Sequence, residues 1–218
     1  MVQKKTKSKR EDFKSIDKIS KGLDKANIIL LKTWKFYIYI VIAVIIIIIA
    51  ILLYKQHLNS YNITASKKFE AAKTIPQLQA VIKDYPSLPV SNIARIDLAA
   101  KLLNEKKYDE ANELYNQIIN NGQSHYLQAV AKLNQAYILE DQGKKEAAVN
   151  KFMEVADYYE TPTQIKCEAQ YSAGRIYLEL NNKEQAIAVL KKASSVNANV
   201  CAGWPTLSQT LLDSINVK

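Results

Sequence analysis

The sequence predicts an all-α protein: an N-terminal transmembrane helix, then an α-solenoid of antiparallel helix pairs with a closing C-terminal helix. Three observations carry this. The eighteen consecutive residues 36–53 (FYIYIVIAVIIIIIAILL) hold no charge, amide or proline. Beyond them the chain is poor in glycine and proline, and alanine-rich runs are separated by short polar turns. Within those runs three segments align without gaps, starting at Asn92, Ala129 and Cys167.

Residues 1–35 come first, as a basic tail. Eleven Lys/Arg stand there against Glu11, Asp12, Asp17 and Asp24, so +7 of the chain's +9 lies in this stretch. Short loops rich in cations stay on the cytoplasmic side, and only Lys55, Lys67 and Lys68 follow the apolar run closely. The tail is therefore expected inside the cell and the remainder outside. Ile16, Ile19, Leu23 and Leu30 recur at spacings of three, four and seven. This leaves two alternatives, a short interfacial helix on anionic lipid or a disordered lead-in.

Residues 36–54 form the second element, the transmembrane helix. Eighteen residues at about 1.5 Å each reach about 27 Å, close to the hydrocarbon thickness of a bilayer. A core helix of a soluble domain would keep a polar side, and this one has none. Trp34, Tyr37 and Tyr39 at one end and Tyr54, His57 and Tyr61 at the other are rings expected at headgroup level. The apolar run is too long, and its downstream flank too bulky, for a cleaved signal peptide.

The 164 residues after position 54 suffice for one domain with a sizeable core. Residues 55–91 supply a helix continuing from the membrane and an opening helix, where Leu78, Val81 and Ile82 keep helical spacing until Pro86 and Pro89. Residues 92–218 hold the repeats, over 92–125, 129–162 and 167–200, and the closing helix "WPTLSQTLLDSINV". That helix covers the apolar end of the array.

The repeat register can be checked position by position. The eighth residue is Ala99, Ala136 or Gly174, and the twentieth is Ala111, Ala148 or Ala186. The eleventh is Leu102, Leu139 or Tyr177, and the twenty-fourth is Tyr115, Phe152 or Leu190. Small residues let two helices approach where they cross, and large ones fill the space between pairs. Polar turns "NEKKYDE", "EDQGKKE" and "ELNNKEQ" separate the helices, the second with Gly143 where the first helix must end. These positions resemble the tetratricopeptide repeat (TPR), a helical hairpin of about 34 residues, although the tryptophan and proline of its consensus are missing.

By that resemblance the first helix of each pair lines a concave surface. In the first copy this gives Ile93, Ile96, Ala100 and Leu103, apolar and expected to be covered. The candidate partner-binding groove is Val130, Leu133, Tyr137, Glu140 and Asp141 from the second copy, with Glu168, Tyr171, Arg175, Leu178 and Glu179 from the third. Aromatic rings edged by charge suit an extended peptide or a partner helix. The alternative is a groove filled by the protein's own ends. Tyr137 and Arg175 are expected exposed on this inner face. The carboxylate clamp of chaperone-tail receptors would need lysine, asparagine and arginine where Ile96, Ala100, Asn134, Glu168 and Ser172 stand. Only Asn134 conforms, which disfavours it.

Little catalytic chemistry is present, and no enzyme is expected. His57 and His125 are isolated, so no metal site is expected, and single scattered glycines build no phosphate loop or dinucleotide fingerprint. No cofactor and no small-molecule substrate are implied. Nineteen basic and seventeen acidic residues beyond the anchor leave no surplus for a phosphate backbone, so nucleic acid is not an expected partner.

Cys167 and Cys201 fall at equivalent repeat positions on neighbouring helices. Helix axes about 8–10 Å apart compare with Cα atoms within about 7 Å in a disulfide. The comparison favours two separate thiols over a bond.

The layout of basic N-terminus, single anchor and outward TPR-like domain resembles the bacterial ancillary subunit of the Sec translocon and its relatives. That resemblance implies a single-pass protein of the bacterial inner membrane with a periplasmic domain. Its implied partners are translocon subunits, a periplasmic chaperone or exported clients, with membrane lipid contacting the anchor and tail. The stretch "DYPSLPVSNIARIDLA", running into "KKYDEANELY", is similar to TPR proteins of outer-membrane and cell-envelope assembly. The alternative function is therefore a structural scaffold for an envelope-assembly or division complex.

Overall fold

A computed structural model describes residues 2–216, apart from the side chains of residues 2–17, Ile19, Ala26, Leu30 and Asn216. Nine helices and no strand occur among the described residues. They fall into two compact units, Met1–Tyr61 and Asn62–Lys218.

The first unit lies within α1 (Val2–Ala71), whose backbone is helical from Val2 onward. Of the tail's apolar series, Ile16, Ile19 and Leu30 lie outside the described side chains, and Leu23 is exposed. Every residue from Phe36 to Tyr54 is exposed. Within α1, Leu31–Ala71 is the stretch long and apolar enough to cross a membrane by length and composition.

The second unit contains α2 (Ile75–Asp84), α3 (Pro89–Asn104), α4 (Tyr108–Asn121), α5 (His125–Asp141), α6 (Lys145–Asp157), α7 (Thr163–Glu179), α8 (Lys183–Ser194) and α9 (Trp204–Asn216). Each packs on the next from α2 to α9, and α3, α5, α7 and α9 also touch in succession. This is a TPR-like α-solenoid of pairs α3/α4, α5/α6 and α7/α8. The first helix of each pair starts three or four residues before Asn92, Ala129 and Cys167, respectively. Pro89 stands at the head of α3 and Pro205 at the second position of α9, where a missing N–H costs nothing.

The three internal turns share one geometry. Lys106, Gly143 and Asn181, each the fifteenth residue of its copy, have φ of 58°, 75° and 60°. The following N–H groups of Lys107, Lys144 and Asn182 donate to the carbonyls of Leu102, Leu139 and Tyr177 at 2.9, 2.9 and 2.8 Å. Such left-handed caps satisfy helix-end carbonyls. Glycine is the easy residue there, and in the other copies lysine and asparagine carry the same conformation.

The core follows the predicted register. Ala99, Ala136, Ala111, Ala148 and Ala186 are fully buried, as are Phe152 and Leu190, and Tyr115 is 1% exposed. At Gly174 an added Cβ would come within 2.6 Å of Leu190 Cδ2, so the third crossing has no room even for alanine without movement. Burial pushes the Tyr115 hydroxyl up to about 12, because ionising it there would strand a charge in the core. A polar knot ties α3 to α4: the Arg95 guanidinium donates to Asn92 Oδ1 and Gln117 Oε1 at 2.9 and 3.2 Å. Burial lowers its pKa.

The cysteine expectation is overturned, because Cys167 and Cys201 form a disulfide with Cα atoms 6.1 Å apart. Cys201 is not at the first position of a packed helix. It lies in the turn before α9, where Ala202 and Gly203 have positive φ and bring the chain inward. The axis-to-axis spacing of packed helices therefore does not govern it.

Candidate functional site

The face shared by α3, α5 and α7 grades from apolar to charged. On α3, Ile93 is 42% exposed, Ala100 is exposed, and Ile96 and Leu103 are half-buried. This corrects the expectation that the first copy's face is covered: α2, α4 and α5 pack on α3 and leave Ile93 and Ala100 open.

On α5 the ten predicted groove residues begin to separate. Leu133, at 5% exposure, belongs to the hydrophobic core with Phe152 and Ile176. Its position thus faces inward to packing and not to a partner. Val130 and Tyr137 pack against the same core while staying half exposed. Tyr137 is not the free groove ring the sequence suggested. It meets Phe152 edge-on at 4.9 Å, and its hydroxyl is bonded at 3.0 Å to both Glu168 Oε1 and Ser172 Oγ of α7. Burial drives its hydroxyl pKa up. Asp141 is exposed and makes no ion pair among the described residues.

On α7, Arg175 bridges two helices. Its Nη2 donates to Glu140 Oε1 of α5 at 2.5 Å and its Nη1 to Glu179 Oε1 at 2.9 Å. Lys145, the first residue of α6, completes the chain by pairing with Glu179 Oε2 at 2.9 Å. Burial pulls the Arg175 pKa down, but the two carboxylates more than offset this and it is raised. Lys145 and then Arg175 hold Glu179 below the usual carboxylate range. Glu168 goes the other way. Burial raises it, and the hydrogen bond from Tyr137 offsets only part of that.

Leu178 is half-buried, and Tyr171 stacks on Trp204 of α9 with ring centres 5.2 Å apart. The chain's closing helix thus occupies the far end of the face. Sequence reasoning missed Lys145 and Trp204, and considered Ser172 only as a clamp position, not as a partner of Tyr137. Ser172 follows Glu168 by one helical turn, a spacing that puts both on one side of α7 and could have found it. At the clamp positions, Asn134 donates to the Val130 carbonyl of its own helix at 2.8 Å, and Ser172 is engaged by Tyr137.

No group of His, Cys, Asp or Glu side chains able to hold a metal occurs among the described residues. His125 begins α5 and pairs with Glu160 at 3.2 Å, away from this face. What the face offers is a half-open apolar strip, two aromatic rings and a set of carboxylates, which suits protein contact better than chemistry.

The family described as "tetratricopeptide repeat-like domain" matches the chain over residues 31–216. Among solved structures, a crystal structure described as "Podosopora anserina putative kinesin light chain nearly identical TPR-like repeats" is similar at 15% identity, with a TM-score of 0.47 over 72% of this chain and 83% of that one. No curated protein matches the chain.

Proposed function

The chain belongs to the tetratricopeptide repeat-like domain family, and from that premise we propose that it is a membrane-anchored protein-interaction module facing the extracytoplasmic side. In this reading residues 36–54 span the bacterial inner membrane, residues 1–35 stay in the cytoplasm, and the repeat domain works in the periplasm. There it associates with the Sec translocon and periplasmic chaperones to assist exported proteins. The groove residues other than the buried Leu133, with their surroundings, form the contact face.

One observation carries the proposal: a helix apolar and exposed on every side stands in the same chain, and in the same family match, as a helical stack with an open face. Such a helix is stable where hydrocarbon replaces water. The Cys167–Cys201 disulfide supports the outward placement, since such bonds persist in oxidising compartments. The +7 tail agrees with it.

Protease added to the outer face of intact inner membrane should digest residues 60–218 and leave the tail. Crosslinking in the same membranes should recover translocon subunits. Protection of the domain would overturn the orientation. Recovery of envelope-assembly or division proteins alone would replace the translocon with the scaffold reading.

A further inference from the structure

We infer that the open face takes a segment presenting one cationic group, a lysine, an arginine or a chain amino terminus, next to apolar side chains, with Glu168 receiving the cation. This deepens the contact-face reading above and rests on it.

Ile93, Val130 and Glu168 are the second residues of their repeat copies. They therefore lie at one level on α3, α5 and α7, helices that touch in succession. Neighbouring axes about 8–10 Å apart set this row at roughly 16–20 Å. An extended chain covers that in about five or six residues. Read across, the row is an exposed isoleucine, a half-exposed valine and a half-exposed carboxylate. A segment laid along it buries apolar side chains first and meets an acid last.

The charges point the same way. Among the ten groove residues, four are acidic (Glu140, Asp141, Glu168, Glu179) and one is basic, a net of −3. Arg175 is already held by Glu140 and Glu179, and Glu179 is held again by Lys145. Glu168 has no cation among the described residues. Its one described bond comes from the neutral Tyr137 hydroxyl, although the group is half withdrawn from water. A partly desolvated carboxylate without a counterion gains more from an arriving cation than a solvated one does. An anionic segment would meet the net negative set and be disfavoured.

The test uses the full chain in lipid nanodiscs and three labelled twelve-residue peptides. All alternate leucine and serine, and at one central position carry lysine, norleucine or glutamate. The lysine peptide should bind tightest and the glutamate peptide weakest. Glu168→Gln should shrink the lysine-over-norleucine preference by about five- to tenfold, while Asp157→Asn, an exposed carboxylate at the end of α6 and outside this face, should leave it unchanged. Equal binding of all three peptides, or a preference unchanged in Glu168→Gln, overturns the inference and spares the contact face. Binding of none overturns both.

Discussion

The helix at residues 36–54 and the repeat core are built from similar side chains and treat them oppositely. Ile46 is 60% exposed and Ile176 is 0% exposed. The difference is periodicity. Along α6 and α7 apolar residues return every three or four positions between lysine, glutamate and glutamine, so each helix has a side to hide and a side to wet. In the segment 36–54 no side of the helix is polar enough to face water. Burial therefore follows from the pattern around a residue rather than from its type, and a uniformly apolar helix finds its partner in lipid.

The comparison breaks most sharply on truncation of one large residue in each region. Phe152→Ala removes a ring with no exposure that meets Tyr137 edge-on, and should cost the repeat domain about 3–5 kcal/mol. Ile46→Ala should leave domain melting unchanged, because its side chain belongs to the other unit. Thermal unfolding of the purified full-length variants reads both. A similar loss from each would mean that the anchor helps stabilise the stack.

Next in size is the disulfide. Cys167→Ser with Cys201→Ser opens a loop of sequence separation 34 and should cost about 2–4 kcal/mol. Labelling of the unfolded, unreduced parent should find no reactive cysteine. Two reactive thiols would restore the expectation drawn from helix spacing and remove one support for an oxidising location.

Both effects bear on what could be read from sequence. The crossing residues were legible because packing leaves a strong mark: only alanine or glycine fits where helices touch, and three copies repeat it. The open α3 face was not legible, since an exposed isoleucine is spelled like a buried one. Tyr137 was assigned to the groove from its repeat position, but that position also faces the next repeat, and Glu168 and Ser172 capture the hydroxyl there. The disulfide was missed because its geometry depends on two left-handed residues in a turn, Ala202 and Gly203, and Ala202 gives no sign of its φ in the sequence.

The register itself is sharpened by overpacking. Ala148 is fully buried at the second crossing, so Ala148→Leu should cost about 1–3 kcal/mol. The same change at Ala100, exposed on α3, should move the midpoint little. If both variants melted like the parent, the crossing would lie elsewhere.

The smallest effect is the most informative about purpose. Glu168 stands with its pKa raised by burial, so the folded state binds its proton more tightly than the unfolded chain does. The sign follows. Stability from this group is fully present below the unfolded carboxylate pKa and is lost as pH rises through the higher folded value, so at neutral pH the charge weighs against the fold. Glu168→Gln keeps an oxygen for the Tyr137 hydroxyl and removes the charge. At pH 7 the variant should equal or exceed the parent by no more than about 0.5 kcal/mol, a figure held low because the group is still partly in water. The gap should close as pH falls toward the ordinary carboxylate range, where the parent's own carboxyl is protonated. Chemical denaturation of both proteins at pH 7 and pH 4 measures it. A variant clearly weaker at pH 7 would make Glu168 a structural residue, fixed by its bond to Tyr137. A variant as stable or more so would mean that folding does not require the charge, which leaves binding as its use.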